Sequence, residues 1–213
     1  MIGYHATKKK NEKSILRKGF MISKSNNYHH WLGDGIYFWA DSYYAVEWNI
    51  IDLEKSKVVT LKNMLNNYTI FETTIKDIKN KTIDFSSPKG TIIFNNFKSD
   101  IIECANPDQK EKLEKIEDDV FWVNFMKEKG VLDKYDIIIA SYNKTIQNTI
   151  KSKSNFLKYQ QTQICVKNNN LIIKKEVYSD KDEIKKLYNY VRNNRYKQKE
   201  EVLIWDFLKI YLM

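Results

Sequence analysis

Along the 213 residues, runs rich in β-branched and aromatic residues alternate with runs of three- and four-residue apolar period, yet no strand-helix-strand unit repeats. A doubly wound parallel sheet needs that repeat, so the irregular alternation predicts an α+β fold. "MIGYHAT" opens the chain as a short strand, and the basic helix after it, carrying Ile15 and Leu16, ends at Gly19, a left-handed cap. "GFMIS" and the polar "KSNNYHH" lead into an aromatic strand within "WLGDGIYFW". "YAVEWNIIDLEK" is read as a helix with Ala45, Trp48 and Ile51 or Asp52 at helical spacing on its apolar face. "KVVTLKNM", "YTIFETTI" and "KTIDFS" are strand-like. Residues 108 to 129 read as one helix through Leu113, Ile116, Val120 and Val123, closed by Gly130. "YDIIIASY" is a buried strand, and "QTQICVKN" and "NLIIKKEVY" are expected to pair as a hairpin turned at "NNN". Asp180 and Glu183 form a capping box that opens a helix through Ile184, Leu187 and Val191. The segment "EEVLIWDFLKIYLM" is a helix apolar around much of its circumference, which must be buried against this chain or another.

Only six glycines and two prolines punctuate the chain, and neither a Pro/Gly-rich linker nor an internal repeat divides it. One domain spanning residues 1 to 213 is therefore expected, with 179 to 213 as a C-terminal helical extension. Mean hydropathy is −0.59, and the longest apolar run is far shorter than the roughly 20 residues of a bilayer span. The start "MIGYHATKKK" lacks the pattern of a secretory signal, so a cytoplasmic protein with no membrane partner is expected. Cys104 and Cys165 have no paired spacing and are read as reduced thiols. The net charge of +9 favours polyanionic partners. Residues 151 to 175 hold six lysines and no acid, whereas residues 108 to 129 hold seven acids against five lysines, the pattern of a solvated helix.

Chemistry has few candidate carriers. No Gly-rich phosphate loop is present, which weakens a nucleotide triphosphatase or dinucleotide oxidoreductase reading. His5, His29 and His30 lack ligand spacing within one element, so no metal is expected. His5 is set apart by its place in the first strand, where Ala6 and Thr7 are small enough to let a ligand approach the backbone.

Taken in order, "YHAT", "GDGIYFW" and "QTQICV" resemble the signature regions of the ADP-ribosyltransferase superfamily, in the branch of diphtheria toxin and the poly(ADP-ribose) polymerases. The likeness runs from residue 3 to about residue 175, with motif matching at 3 to 7, 19 to 23 and 31 to 48. It implies a split β-sheet, two packed antiparallel sheets with peripheral helices, gripping NAD as substrate in a cleft. The nicotinamide-ribose bond would break through an oxocarbenium-like transition state. By that resemblance His5 bonds a ribose hydroxyl, and the backbone of Ala6, flanked by Thr7, meets the nicotinamide carboxamide. Gly35 lets the chain turn where NAD passes, and Tyr37 stacks on the nicotinamide ring. Ser42, Tyr43 and Tyr44 stand where a carboxamide-binding serine and a second stacking aromatic are placed.

Two positions depart from the family pattern. Ala6 replaces a glycine but keeps its backbone groups. Gln163 stands where a glutamate is common, and losing one preorganised electrostatic contact costs about 3 to 4 kcal/mol in a transition state. No acid lies near Gln163 in sequence, so a carboxylate must come from Asp34, Asp41 or a more distant residue folding in. Gln161, two residues earlier and on the same strand face, is the acceptor-side candidate. The resemblance implies a small bacterial or phage-defence toxin or anti-phage effector that modifies RNA, DNA or protein, with a neutralising antitoxin as a further partner. Two alternatives stand beside it: an NAD or nucleic-acid binding module without turnover, and an RNA 2′-phosphotransferase, for which Arg17, Arg192 and Arg195 are few.

Overall fold

The computed structural model describes residues 1–24, 32–56, 58–143 and 160–195. Among them seven strands form one mixed sheet: β1 (Ile2–Lys8), β2 (Ile36–Trp39), β3 (Tyr68–Ile75), β4 (Thr82–Asp84), β5 (Ile137–Asn143), β6 (Gln160–Val166) and β7 (Ile172–Val177). Seven α-helices surround it: α1 (Glu12–Lys18), α2 (Ser42–Glu54), α3 (Leu61–Asn67), α4 (Pro88–Cys104), α5 (Pro107–Glu114), α6 (Asp119–Glu128) and α7 (181–195). The class is α+β. None of the described helices is long and apolar enough to cross a membrane.

The strand order is β4-β5-β6-β2-β1-β3-β7. Neighbours are antiparallel except β4 and β5, whose parallel pairing is reached by a crossover through α4, α5 and α6. Where two packed antiparallel sheets were expected, hydrogen bonding is thus continuous and one pair is parallel. The continuity is thin at one seam. β1 pairs with β3 along its whole length, from Ile2 opposite Thr74 to Lys8 opposite Tyr68, but meets β2 at the single pair Tyr4 and Trp39.

Three apolar clusters hold the helices to the sheet. Phe38 and Ile36 of β2, Phe71 and Ile164 form one with Ile15 of α1 and Phe20. Ile70, Ala45, Val46, Ile50 and Leu53 form the second, into which α7 inserts Ile184, Tyr188 and Val191. Ile138, Ala140, Cys165 and Leu32 form the third with Val123 and Met126 of α6. Gly19 ends α1 at φ +86 as its position required, and Gly130 follows α6 at φ +70.

Several elements differ from expectation, each for a local reason. The buried stripe of α2 runs through Ala45, Val46, Asn49, Ile50 and Leu53. Trp48 lies off that stripe, 38% exposed, with its ring edge-on to Tyr68. "KVVTLKNM" is not a strand: Thr60 caps α3 by accepting from Asn63 N at 3.1 Å. The helix read over 108–129 is two helices, because Asp118 caps α6 by accepting from Val120 N at 2.9 Å. The carbonyl of Ile116 is taken by the Trp122 indole at 3.1 Å. α4 had no sequence expectation, although Ser87 and Pro88 start it, the serine accepting from Gly90 N and the proline at its first turn. The hairpin of β6 and β7 does not form. β6 lies between β5 and β2 while β7 pairs with β3 at the far edge, and Asn169–Leu171 make a 3₁₀ turn between them. The capping of α7 is as read, with Glu183 N donating to Asp180 Oδ1 at 2.8 Å. The "EEVLIWDFLKIYLM" helix, His29, His30 and residues 151–159 of the lysine-rich run lie outside the described residues.

Candidate functional site

The three segments that carry the resemblance lie on neighbouring strands, β6, β2 and β1. Tyr37 is opposite Cys165 and Trp39 opposite Gln163 across β2 and β6. His5 is tied to the middle strand, its Nδ1 2.8 Å from the Tyr37 carbonyl oxygen. A carbonyl only accepts, so Nδ1 carries the proton and Nε2 remains an acceptor with no protein partner among the described residues. Burial lowers the His5 pKa below its ordinary value, outweighing that bond, and keeps the ring neutral. The ring packs edge-on to Phe20 at 4.9 Å and Phe38 at 5.7 Å. Ala6 belongs to the cluster under α2 on the other face of the sheet, and Thr7 is buried with its Oγ1 accepting from Asn11 Nδ2 at 3.0 Å.

Alternation along β2 puts Ile36 and Phe38 on the His5 face and the Tyr37 side chain on the opposite one. What links His5 to Tyr37 is therefore the tyrosine backbone. The phenol closes the Gly-Asp-Gly turn: it donates to Gly33 O at 2.7 Å and accepts from Leu32 N at 3.1 Å. Burial raises its pKa far above the usual tyrosine range, so it stays protonated. Both glycines are required by geometry. Gly33 sits at φ +89, and a Cβ on Gly35 would collide with Cys165 Sγ. Burial likewise pushes the Cys165 thiol up to about 12.

Ser42, Tyr43 and Tyr44 stand at the start of α2, where Asp41 accepts from Tyr43 N at 2.7 Å. Their partners are aromatic: Tyr44 is buried with its ring 5.9 Å from Trp39, and Tyr43 meets Tyr44 at 5.0 Å and Tyr190 of α7 at 5.9 Å. Ser42 is buried, close to the Tyr178 hydroxyl. Trp39, unremarked in the sequence as a site residue, thus connects this trio to the β6 strand through its pairing with Gln163.

Gln161 and Gln163 share one face of β6, as their spacing requires, but differ in surroundings. Gln161 is 6% exposed and donates from Nε2 to Glu47 Oε2 at 3.1 Å. Glu47, on the inner face of α2, is equally buried and 3.8 Å from Arg195 Nη1. Arg195 makes its closer contacts with Glu54, at 2.7 Å from Nη2 and 3.3 Å from Nε. Gln163 Nε2 lies 3.5 Å from the Tyr142 hydroxyl, and Tyr142 is directly opposite Gln161 on β5. Burial, with the Glu47 carboxylate nearby, raises the Tyr142 pKa well above the usual tyrosine range. Gln163 and Tyr142 face a cleft of about 900 Å³ that reaches α4 and α6, with Phe85, Phe94, Lys98 and Asp119 on its walls. Glu47, Tyr142 and Trp39 were missed because each is sequence-remote from the glutamines, and a glutamate inside "YAVEWNII" carries no local sign of burial.

The lysines between 167 and 175 do not gather at β6. Lys167 donates to Leu132 O at 2.7 Å, and burial lowers its pKa. Lys174 pairs with Glu176 at 2.8 Å on β7, three strands beyond β2. Among the described residues no three His, Cys, Asp or Glu side chains gather as metal ligands.

No protein-family model matches the chain, and no solved structure matches it. The chain is similar to an uncharacterized protein of Methanocaldococcus jannaschii, with 27% identity over 207 residues, 88% of this chain and 91% of that protein.

Proposed function

We propose that this protein is an NAD-dependent ADP-ribosyltransferase whose acceptor is a nucleic acid, RNA first, or a protein. One observation carries the reading: three segments spread over more than 160 residues, each resembling a signature of that superfamily, lie side by side on β1, β2 and β6. The seam of a single residue pair between β1 and β2 leaves backbone of both strands for a ligand to address. His5 offers Nε2 to a ribose hydroxyl, and Tyr37, 32 residues on and on the opposite face of the sheet, offers a neutral aromatic ring. Gln163 supplies an amide toward the ribose. The nicotinamide-ribose C–N bond breaks with its electron pair leaving on neutral nicotinamide. The acceptor oxygen or nitrogen bonds the ribose carbon, and its proton goes to solvent. Charge develops on the sugar, so preorganised dipoles around it govern the rate.

The net charge of +9 supports a polyanionic acceptor, though the described lysines near β6 and on β7 supply it no patch beside Gln161. An RNA 2′-phosphotransferase would need guanidinium groups for phosphate, and Arg195 is engaged by Glu54 and Glu47. The role that fits such an activity is a toxin or anti-phage effector restrained by a partner protein. Incubating the protein with NAD labelled in the adenylate half, with RNA, DNA or protein extract, tests the reading. Label should move onto one of these classes with release of nicotinamide. NAD retained without turnover would instead identify a binding module, and phosphate lost from 2′-phosphorylated RNA would identify the phosphotransferase.

A further inference from the structure

We infer that Glu47 is the carboxylate of this site, entering from α2 rather than from β6, and that it acts by positioning Gln161. The inference rests on the transferase reading above. Three observations carry it. Glu47 is buried, which a carboxylate tolerates only when paired and hydrogen-bonded. It accepts from Gln161 Nε2 at 3.1 Å, and Arg195, 3.8 Å away, makes its shorter contacts with Glu54. Tyr142 and Gln163 line the cleft, 3.5 Å apart, and Gln161 with its Glu47 partner lies next to them, opposite Tyr142 in the β5–β6 register and two residues before Gln163.

The chemistry follows from what each group can do. A carboxylate accepts and never donates, so it fixes the polarity of the Gln161 amide: the NH₂ faces Glu47 and Oε1 is turned away from it. An amide without such a partner can flip, presenting either end. Oε1 is an acceptor, and it suits an incoming O–H or N–H group and repels a phosphate or carboxylate oxygen. Glu47 therefore makes Gln161 selective for hydroxyl or amine acceptors and orients them for attack on the ribose carbon. Gln161 touches the acceptor; Glu47 acts through it.

The test separates transfer from NAD hydrolysis, in which water takes the acceptor's place. Glu47→Gln keeps size and hydrogen bonding but no longer fixes the amide, so transfer should fall about 10²-fold, while NAD hydrolysis and the KM for NAD change less than about threefold. Gln161→Leu should reproduce the same change in the transfer-to-hydrolysis ratio, and the double variant should be no worse than Gln161→Leu alone, since both act on one interaction. Glu54→Gln loosens Arg195 without touching Gln161 and should leave the ratio unchanged, with melting temperature as the check on folding. Wild-type protein with no NAD turnover overturns both the transferase reading and this inference. An active wild type in which Glu47→Gln keeps the ratio, or Glu54→Gln shifts it equally, or the two single effects add, overturns this inference alone. Should Glu47→Gln fail to fold, Gln161→Leu decides: an unchanged ratio overturns the inference.

Discussion

His5 and Tyr37 show how one hydrogen bond sets two side chains on different tasks. The imidazole is neutral because burial disfavours its charged form, and the donor it presents to the Tyr37 carbonyl needs only the Nδ1 proton. An unfolded chain takes up a proton on this ring near the ordinary value of 6.5, before the folded protein does. Stability from the neutral ring is thus complete above that pH and is lost as the pH falls below it toward the depressed folded value. His5→Asn, whose amide can donate to the same carbonyl without titrating, should flatten the decline of melting temperature between about pH 6.5 and 5; an equally steep decline would remove His5 as its source. Tyr37 is anchored through its hydroxyl, so Tyr37→Phe should cost about 1 kcal/mol of stability by releasing the Gly33 and Leu32 contacts. On the transferase reading, NAD turnover should persist within a few-fold, because the aromatic ring proposed to stack is kept. Gln163 was legible as a doubt in the sequence, a glutamine where a carboxylate is common. Its answer was not legible, since Glu47 reaches Gln161 only through the packing of α2 against the sheet.

At the scale of elements, periodicity served where an element packs on one face and misled where caps or distant pairing decide. β1, β3, β5 and α7 lie where the sequence placed them: β3 and the start of β5 are buried on both faces, as runs of apolar and β-branched residues require, and helical spacing coincides with burial in α7. The helix over 108–129 is broken by the capping oxygen of Asp118, which a count of apolar positions does not register. The β6–β7 hairpin failed because strand character says nothing about partner, and both strands find longer pairings elsewhere in the sheet. On α2, the stripe that the sequence did not foresee includes Asn49, 1% exposed, whose Oδ1 is buried without a hydrogen-bond partner among the described residues. Asn49→Leu is nearly isosteric and removes that orphan, so it should stabilise the protein by about 1 kcal/mol, read as a rise of roughly 2–4 °C in melting temperature. A fall would mean that the amide is satisfied in solution.

Across the whole molecule, charge and sequence proximity part company. The lysine-rich run reads as one patch beside the acceptor strand, yet Lys174 and Lys175 lie on β7, at the opposite edge of the sheet from β4. Replacing both by glutamine should leave transfer to RNA within about twofold, as measured with labelled NAD at fixed salt, because phosphate attraction acts over about a Debye length and these charges face another side. A large loss would place the acceptor across β7 instead.

The position of β6 has a consequence for how the chain is made. It is sixth of seven strands in synthesis but sits between β5 and β2, so neither of those strands has its neighbour on that side until residue 166 has emerged. Until then their open edges are available to other chains, and a ribosome-bound intermediate of this protein is without the strand that joins β5 to β2. The segment that bears Gln161 and Gln163 is also the one that joins β5 to β2, so a chain cut short before it cannot complete the sheet.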